Sequence, residues 1–254
     1  MKLIVLPDVH GRQFWKSAAE HIDDCDKVLF LGDYFDPYGF EDISVIDAIK
    51  NFNEILYFIK DYPDKIVMLL GNHDLPYFSE DYRALSRYHC RWSPEWHSVI
   101  SEMFAADREL FKIAHVEDGV LFTHAGCVTG WIKSVFPDLS NNDSINDLVA
   151  KLNGLLHSNK GMEQLYMVSN YRGGRDDAGS CVWADVHELM GDYGKLEFAD
   201  CKDVKQVCGH TLQVEHDENW NVVSGKPIVS PSFKMLDTRC AYLLDTIDFT
   251  AKPI

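Results

Sequence analysis

At 254 residues and 46% hydrophobic content the chain can bury one substantial core, and a single domain over 1–254 is expected. Its 40 acidic against 24 basic residues leave a formal net charge of −16, which repels phosphate backbones and anionic lipid, so stable nucleic-acid binding and membrane association are not expected. The seven cysteines are odd in number and scattered without a CxxC pair, which argues against a disulfide framework and against a structural zinc knuckle.

The opening MKLIVLPDVH holds too short an apolar run for a signal peptide. No later run approaches the ~20 residues of a membrane span, so a soluble, cytoplasmic protein is expected. Five apolar runs, at 3–6, 28–31, 66–70, 120–122 and 204–208, are rich in Val, Ile, Leu and Phe without polar alternation, the pattern of strands buried on both faces. Between them, residues 41–61 place Val45, Ile46, Ile49, Phe52, Leu56 and Ile59 on one helical stripe, stopped by Pro63. The aromatic-rich stretch 77–96 reads either as a cover over a site or as a surface helical hairpin. Residues 94–111 form a helical pattern with Ser93 as cap and Pro94 at the first position, and 143–156 repeat the pattern with Ile145, Leu148, Val149, Leu152 and Leu156. From about 205 the chain turns to short β-like runs, at Val207, 222–223, 228–229 and 241–244, separated by turn signals at 219–221 and 225–227. Strands alternating with helices predict an α/β architecture, and the C-terminal runs predict a second sheet packed on the first. Cap-like helical insertions are expected around 75–112 and 130–180.

The chemistry lies in the residues just beyond each apolar run. After the first comes Asp8-Val9-His10-Gly11, after the second Gly32-Asp33 and then Asp36, and after the third Gly71-Asn72-His73-Asp74. The fourth leads into Thr123-His124 and the fifth into Gly209-His210-Thr211. Alone, a D-x-H or a single buried histidine is more often structural than functional. Five such clusters at five strand ends are another matter, because ligands in open α/β sheets bind beyond the carboxyl ends of the strands. Asp, Asn and neutral His together suit borderline-to-hard divalent metals.

These motifs, with Gly32-Asp33-Tyr34-Phe35-Asp36, resemble the calcineurin-like metallophosphoesterase superfamily over residues 8 to 238. The Asp33-to-Asp36 spacing and the ending Leu236-Asp237-Thr238 look most like its phosphoprotein phosphatase branch, which includes diadenosine tetraphosphatases. The resemblance implies a four-layer α/β/β/α sandwich with two mixed β-sheets. It implies two divalent metal ions, manganese, iron, zinc or nickel, with Asp8 and His10 on the first, Asp33 bridging, and Asn72, His124 and His210 on the second. Such ions, ~3.5–4 Å apart, clamp phosphate oxygens and acidify a bridging water whose hydroxide attacks phosphorus in line. His73, beside Asn72 but not needed as a ligand, is the candidate proton donor to the leaving oxygen, with Asp36 to orient it.

Two departures from the family pattern stand out. The branch usually continues its second motif as Asp-Arg-Gly, the Arg gripping phosphate, whereas this chain reads Asp36-Pro37-Tyr38-Gly39. Arg12, Arg172 and Arg175 are the candidates to replace that grip, since guanidinium groups suit bidentate phosphate recognition. Many members end the last motif in Gly-His-x-His, where this chain has Leu212. The expected activity is hydrolysis of a phosphomonoester, on a phosphoprotein or a small phosphometabolite. The alternatives are cleavage of a dinucleoside polyphosphate or phosphodiester by the same metals, and a non-catalytic scaffold. Oligomeric state is not legible.

Overall fold

The computed structural model describes residues 1–254 apart from 87, 193–195 and 219–221, so the turn signal at 219–221 lies outside the described residues. In chain order the strands are β1 (Lys2–Leu6), β2 (Lys27–Phe30), β3 (Ile66–Leu69), β4 (Phe111–Lys112), β5 (Ala114–Glu117), β6 (Val120–Thr123) and β7 (Lys205–Cys208). Then come β8 (Val214–His216), β9 (Val222–Gly225), β10 (Ile228–Val229), β11 (Phe233–Met235), β12 (Tyr242–Asp245) and β13 (Thr250–Pro253). The chain divides into two compact units, Met1–Phe111 with Arg239–Ile254, and Lys112–Thr238. The fold is mixed α/β with two mixed sheets, and among the described residues no helix is long and apolar enough to cross a membrane.

The first unit is built on a six-stranded sheet of order β13-β12-β1-β2-β3-β4. Strands β1, β2 and β3 are parallel neighbours, so their carboxyl ends lie along one edge. Residues Leu3 to Leu6 and Val28 to Phe30 are fully buried, as continuous apolar strands covered on both faces should be. Helix α1 (Lys16–Glu20) is short, while α2 (Val45–Asp61) begins at Ser44, whose side chain accepts from the Asp47 N–H. It does not begin at residue 41, because Asp42 holds a left-handed φ of +53° that no helix tolerates. Helices α3 (Leu75–Phe78), α4 (Glu80–Ser86) and α5 (His97–Ala106) come next. Ser93 does not cap α5; its N–H donates to the Tyr77 hydroxyl at 2.6 Å, and the helix starts three residues after Pro94. An aromatic cluster holds this unit together: Phe35 meets Phe52 at 4.8 Å between ring centroids, and Phe104 meets Phe111 at 4.9 Å.

The second unit has a five-stranded sheet of order β10-β11-β7-β6-β5, with β6 and β7 parallel at its centre, and a separate β8-β9 hairpin. Its helices are α6 (Thr129–Val135), α7 (Ile145–Gly154), α8 (Asn159–Leu165) and α9 (Val186–Gly191). Helix α7 opens on a capping box between Ser144 and Asp147.

The run at 241–244, read from sequence as part of the second sheet, belongs to the first: β12 pairs antiparallel with β1, Lys2 opposite Asp245 and Val5 opposite Tyr242. The run at 120–122, read as part of the first α/β half, is in the second sheet. Hydrophobic patterning marks a strand and its buried face, but the partner is chosen by contacts that local patterning does not encode.

Candidate active site

In the first unit three loops meet beyond the parallel strands. The loop after β1 carries Asp8, His10 and Arg12; the loop after β2 carries Asp33 and Asp36; the loop after β3 carries Asn72, His73 and Asp74. The first two are zipped by backbone hydrogen bonds, His10 N–H to Asp33 carbonyl at 2.6 Å and Gly11 N–H to Tyr34 carbonyl at 3.0 Å. The second and third approach so closely that a β-carbon on Gly32, at φ +107°, would lie 2.3 Å from the Gly71 nitrogen. Between the two carboxylates, Tyr34 and Phe35 are fully buried, and the Tyr34 hydroxyl donates to the Leu69 carbonyl at 2.8 Å. Burying each such ring stabilises by about 1.5–3 kcal/mol. The aromatic pair therefore anchors the loop in the core, with Asp33 and Asp36 on either side of it.

Asp8, His10 and Asp33 form a buried group whose ligand atoms all lie within 4.8 Å of one another. The His10 Nδ1 is 2.6 Å from the Phe35 carbonyl, which fixes Nδ1 as the protonated nitrogen and leaves Nε2, 3.5 Å from Asp33, as the electron-pair donor. Burial pushes the His10 pKa well below the usual histidine range against the pull of Asp33, so the ring is neutral, as a metal ligand must be. Asn72 turns its Nδ2 toward the Cys90 sulfur at 3.9 Å, which presents Oδ1, the atom a hard cation takes.

His73 is held by three groups on its Nδ1 side. Its Nδ1 lies 3.1 Å from the Arg91 carbonyl, 3.5 Å from the Cys90 sulfur and 3.6 Å from Asp36 Oδ2. The carbonyl accepts only from Nδ1–H, so Nε2 is the atom free to gain and lose a proton. Burial lowers the His73 pKa, but Cys90, Asp33 and Asp36 together outweigh it and hold the value well above the ordinary one. Asp36 is itself gripped by the Tyr77 hydroxyl, which donates to Oδ1 at 2.7 Å.

Sequence reasoning passed over Asp74, the last residue of its own motif. Its buried carboxylate accepts the N–H groups of Asp33 at 2.7 Å, Tyr34 at 2.8 Å and Gly71 at 2.9 Å, tying the second and third loops. Tyr77 and Cys90 were also missed as neighbours of Asp36 and His73, because their contacts cross 41 and 17 residues of sequence and no local spacing signals them. Left-handed backbone is a signal that sequence hides and coordinates reveal. His10, Asp33 and Asp36, at φ +44°, +54° and +58°, all adopt it, and such strain concentrates at functional sites.

Of the three sequence-nominated arginines, Arg12 belongs to this unit. Its guanidinium meets Glu41 at 2.8 Å through Nε and at 3.2 Å through NH2, and donates to the Asp8 carbonyl at 2.9 Å.

In the second unit, β6 and β7 deliver His124 and His210 side by side. The His124 Nε2 and His210 Nδ1 are 3.1 Å apart, and the Gly209 N–H donates to the His124 carbonyl at 2.7 Å. His210 also has a left-handed φ, +70°, and its ring meets the edge of buried Trp183 at 5.7 Å. Arg172 pairs with Asp185 at 2.8 Å and donates to the Thr211 hydroxyl at 2.5 Å, bracing the loop that carries His210. Arg175 is exposed.

The model of the calcineurin-like phosphoesterase family matches residues 1–214. No curated protein matches the chain. Among solved structures, a protein serine/threonine phosphatase from Saccharomyces cerevisiae, with similarity to human phosphatase PP5, is similar at 13% identity and a TM-score of 0.44, covering 92% of this chain and 66% of its own. A metallophosphoesterase from Sphaerobacter thermophilus is similar at 16% identity and a TM-score of 0.28, covering 50% of this chain and 47% of its own. The chain thus spans about two thirds and about half of the lengths of these two proteins. On the family match, which takes in most of its length, the chain belongs to the calcineurin-like phosphoesterase family.

Proposed function

We propose that this calcineurin-like phosphoesterase is a binuclear phosphatase that hydrolyses phosphomonoesters, on a phosphoprotein or a small phosphometabolite. In this reading Asp8 and His10 hold one divalent ion, Asp33 bridges, and Asn72, His124 and His210 hold the second. The observation that carries it is the buried group of Asp8, His10 and Asp33, ligand atoms within 4.8 Å of one another. Two carboxylates and a neutral imidazole gathered away from water fit a divalent cation, because burying such charges without one is costly. The second set draws its support from donor chemistry: an amide oxygen and two adjacent imidazoles. Manganese, iron, zinc and nickel all suit these donors. When bound, the ions would neutralise phosphate oxygens and acidify the attacking water.

The rest is work for the chain's own groups. His73 gives the proton to the leaving oxygen from Nε2, its Nδ1–H being kept on the Arg91 carbonyl. Asp36, fixed by Tyr77, favours the imidazolium form of His73. The Asp33-to-Asp36 spacing supports the phosphoprotein phosphatase branch.

The test is p-nitrophenyl phosphate turnover with and without added manganese, for the wild type, Asp33→Asn and His73→Ala. We expect metal-dependent turnover that falls at least ~100-fold in either variant. An inert metallated wild type, or an Asp33→Asn variant as active as wild type, would refute the assignment. Faster cleavage of bis-p-nitrophenyl phosphate than of the monoester would replace phosphatase by diesterase.

A further inference from the structure

The chain is acidic overall, with 40 carboxylates against 24 cations, yet three guanidinium groups gather around one pair of aromatic rings. The Tyr38 and Phe40 rings stack at 5.4 Å between centroids. Arg91 lies 4.3 Å over Tyr38, Arg12 lies 5.7 Å from the same ring, and Arg239 lies 5.4 Å over Phe40. Arg12 and Arg239 share a single carboxylate, Glu41, at 2.8 and 3.3 Å. Arg91 differs from both. Among the described residues no carboxylate pairs with it; its side chain donates to the Asp36 carbonyl at 3.1 Å, and the residue is exposed. A guanidinium carries five N–H donors in a fixed fork, and the contact with Asp36 uses one of them. The three guanidinium groups thus gather a local positive charge on a molecule that is acidic overall.

The patch adjoins the chemistry. The Tyr38 ring meets the edge of His10 at 5.3 Å, and His10 meets His73 at 5.2 Å. The main chain of Arg91 holds the His73 Nδ1–H while its side chain rests on Tyr38.

We propose that Arg91 grips the phosphoryl group of the substrate, with Tyr38 as the platform that holds its guanidinium in place. This rests on the phosphoesterase reading above and assigns the grip that Asp36-Pro37-Tyr38-Gly39 lacks. Stacking on an aromatic face restrains the long side chain, so less freedom is lost when the fork closes on an anion.

Calorimetric titration of inorganic phosphate tests it, on both chelated and manganese-loaded protein, for the wild type, Arg91→Ala, Arg91→Lys, Tyr38→Ala, Tyr38→Phe and, as a surface control, Lys60→Ala. Arg91→Ala is expected to weaken phosphate binding ~10–100-fold, the loss of one or two charge-assisted hydrogen bonds, and Arg91→Lys less. Tyr38→Ala should weaken it, Tyr38→Phe, which keeps the ring, should weaken it less, and Lys60→Ala should not. Arg91→Ala keeps the carbonyl that holds His73, so the loss should be that of the grip alone, and kcat/KM for p-nitrophenyl phosphate should fall by at least the same factor. Phosphate binding by Arg91→Ala within about twofold of wild type overturns the proposal. The two readings fail separately. If the metallated wild type is inert but Arg91→Ala still loses phosphate, the phosphatase falls and the anion site stands; turnover with no effect of Arg91→Ala gives the reverse.

Discussion

Replacing Asp74 probes how the loops of the first unit are held. Its buried carboxylate accepts three backbone N–H groups, those of Asp33 and Gly71 on Oδ2 and that of Tyr34 on Oδ1. Hydrogen bonds to a charged acceptor contribute about 1.5–3 kcal/mol each, but the three do not add. Burial and the neighbouring Asp33 charge push the Asp74 pKa well up, a sign that ionising it here is costly, which discounts the sum. Water can also enter the space left by alanine and meet some of the N–H groups. The expected destabilisation for Asp74→Ala is therefore about 3–5 kcal/mol, a large share of the ~5–15 kcal/mol that keeps a domain folded. Asp74→Asn can keep the pair of bonds on Oδ2 with its single carbonyl oxygen, while its NH2 faces the Tyr34 N–H. One lost bond and one donor-donor conflict give about 2–3 kcal/mol. Asp33 is restrained in its left-handed conformation by this clamp, so manganese affinity should fall as well, by ~10–100-fold. Urea unfolding of the chelated proteins measures the first effect, and competition with a chelator the second. Asp74→Ala within about 1 kcal/mol of wild type, or with unchanged manganese affinity, would refute the clamp.

The same geometry sets two other outcomes. Removing metal with a chelator should lower the unfolding midpoint, and manganese at 100 times its Kd should restore about 2.7 kcal/mol per site; a midpoint indifferent to metal would count against the buried carboxylates as ligands. Tyr77→Phe removes the hydroxyl that donates to Asp36 and accepts from the Ser93 N–H, leaving two groups unmatched, and should cost about 1–3 kcal/mol in urea unfolding, with no loss of manganese binding.

The strand ends were legible because a carboxylate, amide or imidazole follows each apolar run within two or three residues, and the resulting clusters need no long-range knowledge to be seen. Helix α7 was legible too, from the spacing of Ile145, Leu148 and Leu152; it runs over Ile145–Gly154 rather than 143–156, since the capping box of Ser144 and Asp147 sets its start. What sequence hid is non-local. Arg91 comes after the Asn72-His73 motif at a distance no spacing rule covers, and reaches Asp36 across 55 residues. Arg12, next to a motif and so an obvious nominee for phosphate, is engaged by Glu41, whose position could not be foreseen. Strand pairing was hidden too: 241–244 has the same texture as 228–229, yet one joins β1 and the other joins β11.

That pairing of β1 with β12 has a consequence for synthesis. One of the two edges of Lys2 to Val5 has no partner until residues 242–245 have been made. At ~5–20 residues per second the wait is roughly ten seconds to a minute. Throughout it, four consecutive buried residues, Leu3 to Leu6, stand at an open sheet edge, the kind of template on which nascent chains associate. The second unit, Lys112–Thr238, is contiguous and can close while that edge is still waiting. Chaperone demand should therefore fall on β1, which waits, rather than on β12, which completes the pair.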